Sequence, residues 1–237
     1  MIYEIAGLRI DIQNKYEYTD GFCAEYLSAD QASPVHLSAC VSNEEFLQEK
    51  TQSPDFSDGY IENICLYRKI CLQLPVFSRM LLHCAVLEYK GKGYAFLGKS
   101  GTGKSTHTRL WKKYLSTPRM INGDKPILEY TNEGFIAHGT PWKGKEGWGS
   151  RISAPLCGLC FLEQAKDCSI QKLTTSQASK RIFSQVLLPS EEQNAVATLE
   201  LLDKLVSATP AYLLKCDISE QAVKLAVEAL TGEKYED

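Results

Sequence analysis

Residues 98–106 are the part of this sequence whose types and spacing most directly imply chemistry. They run Gly-Lys-Ser-Gly-Thr-Gly-Lys-Ser-Thr and fit the phosphate-binding pattern G-x-x-x-x-G-K-[ST] at every defined position. Lys104 is expected to reach the β- and γ-phosphates of a nucleotide, and the Ser105 hydroxyl is expected to bind Mg²⁺. With ATP and Mg²⁺ as the expected cofactors, the predicted binding residues are Gly98, Ser100, Gly101, Thr102, Gly103, Lys104, Ser105 and Thr106.

Two elements must position this loop. The apolar residues 94–97 before it predict a strand, and residues 106–115 after it predict a helix. A strand, a glycine-rich turn and a helix N-terminus together direct several backbone N–H groups at one anion. The glycines matter because they let the main chain curl around phosphate oxygens without a Cβ clash. The context therefore supports a phosphate-binding loop, the P-loop.

Phosphoryl transfer also needs an acidic metal ligand beside the phosphates. Asp124 is the first candidate, because it follows a short predicted strand, residues 119–122, that returns soon after the predicted helix. Such a strand would place the carboxylate at the carboxyl end of the sheet, next to the P-loop. Glu163 ends another apolar run and is the alternative metal ligand. Either residue could instead be an ordinary turn or strand-end residue on the surface.

Residues 140–151 predict a loop rich in glycine, lysine and tryptophan. Lys145 and Arg151 could supply positive charge to a phosphate, and Trp142 and Trp148 could cover a bound acceptor or base. We therefore expect this loop to order over the site when ligand binds. The alternative is a solvated surface connection.

The composition restricts the class of protein. The chain has 237 residues, 44% of them hydrophobic, and a net charge of −3, which fits one globular domain and gives no electrostatic case for binding nucleic acid or an anionic membrane. The N-terminal residues do not resemble a signal peptide, and no apolar run could span a bilayer. The nine cysteines are scattered, so free thiols and a cytoplasmic location are expected. Cys157 and Cys160 have C-x-x-C spacing and are expected to lie in the core, on opposite faces of a strand, rather than to bind metal.

The hydrophobic pattern along the chain predicts three parts within one domain of 237 residues. Residues 1–80 predict a β-rich N-terminal part, residues 81–165 contain the P-loop, and residues 166–237 predict a mostly helical C-terminal part. The last helix is expected to begin with a cap at Asp217 or Ser219 and to end at Gly232.

Several of these motifs together resemble the HPr kinase/phosphorylase family, which is related to phosphoenolpyruvate carboxykinases. The resemblance covers roughly residues 80–165 and implies an α/β fold in which a mixed sheet carries the P-loop. It implies a phosphate-proximal role for His83, which by position alone would more often be a core histidine. The matching segments are Leu82-His83, Gly91-Lys92-Gly93, Phe96-Leu97, the loop from Ser100 to Ser105, and the strand ending at Asp124.

Two positions depart from that family. Gly123 stands where the family has the first of two paired aspartates, its general base, and Thr106 stands where true HPr kinases usually have glutamate. The segment from Gly139 to Lys145 fits the signature Gly-Thr-Pro-Trp-x-Gly-Lys of a group of HPr-kinase-like bacterial proteins, some of whose wider relatives are encoded with peptide-modification pathways.

The resemblance implies ATP- and Mg²⁺-dependent transfer of phosphate to a hydroxyl, on Ser or Thr of a protein or peptide. A small-molecule alcohol stays open as the acceptor, and so does an oligomeric assembly. The alternative from another class is a nucleotide-binding accessory or regulatory protein without turnover, which Gly123 favours. The expected catalytic residues are His83, Lys104, Asp124, Lys145 and Arg151, with Ser105 and Asp124 as metal ligands.

Overall fold

A small sheet and three helices form the N-terminal part of the chain, in a computed structural model that describes residues 1–235. Strands β1 (Ile2–Ile5) and β2 (Leu8–Gln13) form the expected hairpin, and β3 (Leu37–Cys40) pairs in parallel with β2. Helices α1 (Tyr18–Cys23), α2 (Asn43–Gln52) and α3 (Asp58–Gln73) complete this part. The expectation of a β-rich N-terminal part is thus incomplete, since helices account for much of it.

The remaining strands form one mixed sheet of nine within the described residues. Its order is β4-β8-β9-β10-β6-β5-β7, and β12 pairs with both β10 and β11. The strands are β4 (Arg79–Leu81), β5 (Ala85–Tyr89), β6 (Lys92–Leu97), β7 (Arg119–Asn122), β8 (Ile127–Thr131), β9 (Gly134–His138), β10 (Ser153–Gln164), β11 (Ser169–Lys172) and β12 (Ala211–Cys216).

Strand β10 curls this sheet into a half-barrel. Its first residues pair antiparallel with β9, while the rest pairs in parallel with β6 on one side and β12 on the other. The register shifts between Leu156 and Gly158, as at a β-bulge. As a result Cys157 and Cys160 pack on the same side of the sheet, contrary to the expected opposite faces. Both thiols are free; Cys160 is buried in the core, as predicted, whereas Cys157 is only partly buried against it.

Helices cover both faces of the large sheet. Helix α4 (Lys104–Tyr114) and α7 (Glu220–Thr231) bury apolar residues such as Trp111 and Val223 against one face. Helices α5 (Thr175–Ile182) and α6 (Glu192–Ala208) cover the other face. A third cluster joins the N-terminal sheet to α3 and includes Trp142. The P-loop therefore lies where the large sheet, α4 and the N-terminal part meet.

The ends of several elements follow from local chemistry. The Ser219 side chain caps α7, and Gly232, with a φ of 74°, ends it, as predicted. Helix α4 begins at Lys104, slightly earlier than expected. The C-terminal part is not only helical, because β12 lies within it and adds a strand beside β10.

Candidate functional site

The P-loop joins the end of β6 to the start of α4, as the sequence predicts. Gly101 and Gly103 have φ values of 82° and 101°, a conformation that residues with a side chain rarely adopt. Gly98 is constrained by space instead, because an added Cβ would lie 2.5 Å from Thr102 Oγ1. The loop thus brings the N-terminus of α4, with its unpaired N–H groups and partial positive charge, to the floor of a cavity.

Lys104 projects into the centre of this loop. Its ammonium donates a hydrogen bond to the Gly98 carbonyl oxygen at 2.8 Å, and the residue is buried. Burial lowers the pKa of Lys104 below its usual value, while the Asp124 carboxylate opposes that shift. A cation held inside a curl of backbone is an arrangement suited to the charged oxygens of a phosphate.

Asp124 stands between two partners, His83 and Lys125, which line the same cavity. Its Oδ1 lies 3.0 Å from His83 Nε2, and its Oδ2 accepts a hydrogen bond from Lys125 Nζ. Burial alone would raise the pKa of Asp124, but the hydrogen bonds from His83 and Lys125 and the charge of Lys125 lower it to about 2. The carboxylate is therefore ionised at neutral pH, which suits a metal ligand better than a proton acceptor.

Asn122 positions this carboxylate and was missed in the sequence. Its Oδ1 accepts hydrogen bonds from the backbone N–H groups of Asp124 (2.9 Å) and Lys125 (2.7 Å). Its Nδ2 donates to the hydroxyl and carbonyl oxygens of Thr140, at 3.0 and 3.2 Å. The residue is fully buried. The spacing Asn-x-Asp is an Asx-turn signal that could have identified it.

We expect Asn122→Ala to destabilise the protein by about 1–3 kcal/mol, because it leaves two partly buried N–H groups without an acceptor. It should also weaken any function of Asp124, since the turn that aims the carboxylate is lost. Urea unfolding and metal-dependent nucleotide binding measure the two effects. Asn132→Ala, at an exposed turn between β8 and β9, is the matched control and should change neither. Equal effects of the two substitutions would contradict the positioning role.

The loop of residues 140–151 packs against the sheet at both ends instead of standing free. The Gly123 N–H donates to the Trp148 carbonyl at 2.8 Å, and the Ser150 N–H donates to the Ile121 carbonyl at 3.1 Å. Trp142 is buried, and its Nε1 donates to Asn63 Oδ1 at 2.9 Å. This bond anchors the loop to α3, and Trp142 also lines the cavity that contains the P-loop residues.

Trp148 also has a packing partner, because the Arg109 guanidinium lies 4.5 Å from the centroid of its ring. The exposed part of the loop is its middle, where Gly144 and Gly147 have φ values of 74° and 63°. This middle borders the cavity and carries Lys145. We therefore expect any movement of the loop on ligand binding to occur in the residues around Lys145.

One cavity of about 810 Å³ brings most of the predicted site residues together. Its polar lining consists of His83, Ser100, Gly101, Gly103, Lys104, Ser105, Thr106, Gly123, Asp124, Lys125, Lys143, Gly144, Lys145 and Glu146. Gly98 and Thr102 shape the loop from behind, where the Thr102 hydroxyl donates to the Lys99 carbonyl at 2.9 Å. Lys143, which the sequence offers with Lys145 as a cation of the 140–151 loop, lines the cavity as expected. Lys125 was not predicted, because nothing local marks a surface lysine as a site residue.

Two candidates lie elsewhere. Arg151 bonds to the Glu25 carbonyl and to Glu4, both at 3.1 Å, and lines a separate pocket against the N-terminal sheet. Arg151 lies there because the 140–151 loop turns back toward β10 before it. Arg151 is therefore not part of the candidate site. Glu163 pairs with Arg181 at 2.7 Å, outside the cavity, and is not placed to share a metal with Ser105.

Gly123, the position of the missing aspartate, has little room for a side chain. An added Cβ would lie 3.0 Å from the Trp148 carbonyl oxygen and 3.2 Å from that of Lys143. The backbone of the 140–151 loop therefore lies close around Gly123 and would have to shift slightly to admit a side chain.

The donor set fits a Mg²⁺ ion held jointly with a nucleotide. No group of three or more His, Cys, Asp or Glu side chains within residues 1–235 could hold a metal by itself. Mg²⁺ commonly uses one or two protein oxygens together with substrate phosphates and water. Ser105 and Asp124, which line the same cavity, are residues of that kind.

These features define a mixed α/β protein with a curled sheet, a P-loop turn and a C-terminal helix packed on the sheet. The chain belongs to the family described as SynChlorMet cassette protein ScmC, which it matches over residues 60–224. No protein with a curated description matches the sequence.

Among solved structures, the HPr(Ser) kinase/phosphatase from Coxiella burnetii is similar over 54% of this chain and 89% of that chain. The sequence identity is 12% and the TM-score is 0.27, which describes a distant similarity only. Within the described residues, no helix has both the length and the apolar character needed to cross a membrane.

Proposed function

We propose that this protein is an ATP- and Mg²⁺-dependent kinase that transfers phosphate to a hydroxyl, on Ser or Thr of a protein or peptide. The proposal includes an HPr-kinase-like P-loop core. The observation that carries it is the convergence of Lys104, Ser105 and the ionised Asp124 on one cavity at the N-terminus of α4. Phosphoryl transfer depends mainly on positioning and on charge stabilisation, which such a set of groups supplies.

Each group has a distinct role in this proposal. The P-loop backbone and Lys104 bind the β- and γ-phosphates, while Ser105 and Asp124 hold Mg²⁺, which neutralises charge on the phosphates. His83 orients Asp124 through the contact at 3.0 Å. The acceptor oxygen bonds to the γ-phosphorus, the bond to the bridging oxygen breaks, and ADP leaves with that electron pair. The hydroxyl proton passes to water, since a carboxylate with a pKa of about 2 is a weak base.

The second candidate is a nucleotide-binding regulatory protein without turnover. The observation that favours it is Gly123, which has no carboxylate and is closely surrounded by loop backbone. Both candidates bind nucleotide, so binding does not separate them.

Turnover separates the two candidates. We expect Mg-ATP binding by calorimetry and transfer of radiolabelled γ-phosphate to Ser- or Thr-containing peptides from a mixed library. Binding without transfer to any peptide, protein or small alcohol, and without ATP hydrolysis, would favour the regulatory protein. Failure to bind Mg-ATP would exclude both.

Lys145→Ala should lower the rate of transfer by about 10²-fold while changing nucleotide affinity much less. Lys145 is exposed at the cavity mouth, so its charge is available mainly to the migrating phosphoryl group. Steady-state kinetics beside calorimetric binding measure the two quantities. Lys166→Ala, an exposed lysine outside the cavity, is the control. If both variants behave like the unmodified protein, Lys145 is a surface residue.

A further inference from the structure

Part of the cavity lining is aromatic. We call the surface formed by Tyr18, Phe22, Tyr60 and Tyr67 the aromatic wall; these residues line the same cavity as the P-loop residues. Tyr18 and Phe22 belong to α1, while Tyr60 and Tyr67 belong to α3. Their spacings of four and seven residues put each pair on one face of its helix.

The two helices are fitted together to build this wall. An added Cβ on Gly59 would lie 2.5 Å from Tyr18 Cβ, so glycine is needed for α1 to close on α3. The Tyr18 and Tyr60 rings then meet edge to face, with centroids 6.1 Å apart, and Tyr18 stacks on Phe22 at 5.9 Å. Such contacts fix the rings in a defined surface.

The wall continues from the cavity out to the surface. Phe56, which is not part of the cavity lining, stacks on Tyr60 with centroids 4.6 Å apart. Tyr18, Phe22 and Phe56 are 41%, 39% and 49% exposed. A contiguous exposed patch of large apolar side chains that opens into a polar cavity marks a binding surface.

The wall meets the polar half of the cavity at Asp124. Lys125, which binds the Asp124 carboxylate, lies 5.8 Å from the centroid of the Tyr67 ring. Under the proposed function the acceptor hydroxyl has to reach the γ-phosphate beside this carboxylate. The aromatic wall therefore adjoins the place where the acceptor reacts.

We infer that the aromatic wall is the acceptor subsite, and that the acceptor is a peptide with an aromatic or large apolar residue next to its phosphorylated Ser or Thr. This inference rests on the proposed function. The length of the wall favours a peptide over a small alcohol, because Phe56 extends it beyond the cavity. The exposed carboxylates of Glu17 and Asp55 adjoin Tyr18 and Phe56 in sequence, and Lys50, which binds the Phe56 carbonyl at 2.6 Å, is already paired with Asp58 at 3.0 Å. Basic residues further along the peptide can therefore pair with Glu17 and Asp55.

Two fluorescein-labelled probes test this: the peptide Gly-Phe-Ser-Gly-Lys-Lys and the same peptide with Gly in place of Phe. Anisotropy titrations are run with a non-hydrolysable ATP analogue and Mg²⁺ present. We expect the Phe probe to bind about tenfold or more tightly than the Gly probe. Phe22→Ala should remove that difference, and the milder Phe22→Leu should retain part of it.

Phe183→Ala is the matched control, since Phe183 is exposed at 56% and lies outside the cavity. It should leave the preference for the Phe probe unchanged. Thermal unfolding of each variant confirms that the fold is kept. Nucleotide affinity, measured on the same samples, should be the same in every variant.

Three results would overturn the inference. The first is equal affinity for the two probes. The second is weaker binding of Mg-ATP, and not of the peptide, in Phe22→Ala. The third is phosphorylation of a small alcohol at a rate that substitutions in the aromatic wall do not change. Binding of the Phe probe through the wall without phosphate transfer would have a different meaning. It would support the peptide subsite and count against the kinase assignment alone.

Discussion

Lys104→Ala should lower ATP turnover on the order of 10³-fold and weaken nucleotide binding, while the fold is retained. The substitution removes the ammonium that lies inside the P-loop at 2.8 Å from the Gly98 carbonyl. The glycine conformations and the N-terminus of α4 remain, so part of the affinity for phosphate should persist. Steady-state turnover and calorimetric binding of Mg-ATP measure the two effects separately.

Lys99→Ala is the matched control for that experiment. Lys99 belongs to the same loop but is exposed and does not line the cavity. Its replacement should change turnover and Mg-ATP binding little. If the loop acted only through its total positive charge, turnover and binding would fall equally in both variants. Turnover close to that of the unmodified protein in a folded Lys104→Ala variant would exclude the P-loop as the site of phosphoryl transfer.

The P-loop could be predicted because its geometry is encoded by residues that are adjacent in sequence. Gly101 and Gly103 supply the backbone conformation and Lys104 starts the helix, all within one short segment. The position of Asp124 followed from one more local unit, a helix and the strand after it.

The features that the sequence did not predict depend on contacts between distant parts of the chain. Asn63 binds Trp142 across 79 residues, which fixes a loop that seemed free in the sequence. Strand β12 joins the sheet only because β10 is long enough to bend and offers it an edge. The aromatic wall needs Gly59 to bring two helices together. No local pattern carries such information, so periodicity and motifs could not reveal it.

The role of Asp124 gives the second large expected effect. Asp124→Asn keeps the shape of the side chain and removes its charge, so the Mg²⁺ concentration needed for half-maximal turnover should rise and the maximal rate should fall by about 10²-fold or more. Binding of nucleotide without metal should change much less, because the P-loop and Lys104 are untouched. Metal titrations of turnover, with nucleotide binding measured in chelator, test this.

The lowered pKa of Asp124 also makes the stability of the protein depend on pH. Because the folded-state pKa is about 2, below the ordinary value of 3.8, its pairing stabilises the fold above 3.8 and loses that effect as the pH falls toward 2. The difference in stability between Asp124→Asn and the unmodified protein should therefore shrink as the pH falls below about 3.8 toward 2.

Glu163→Gln is the control that distinguishes the two carboxylates. Glu163 pairs with Arg181 outside the cavity, so its replacement should leave the metal titration unchanged. The opposite pattern, a shifted titration in Glu163→Gln and none in Asp124→Asn, would transfer the metal to β10. It would also require Glu163 to leave its pair with Arg181.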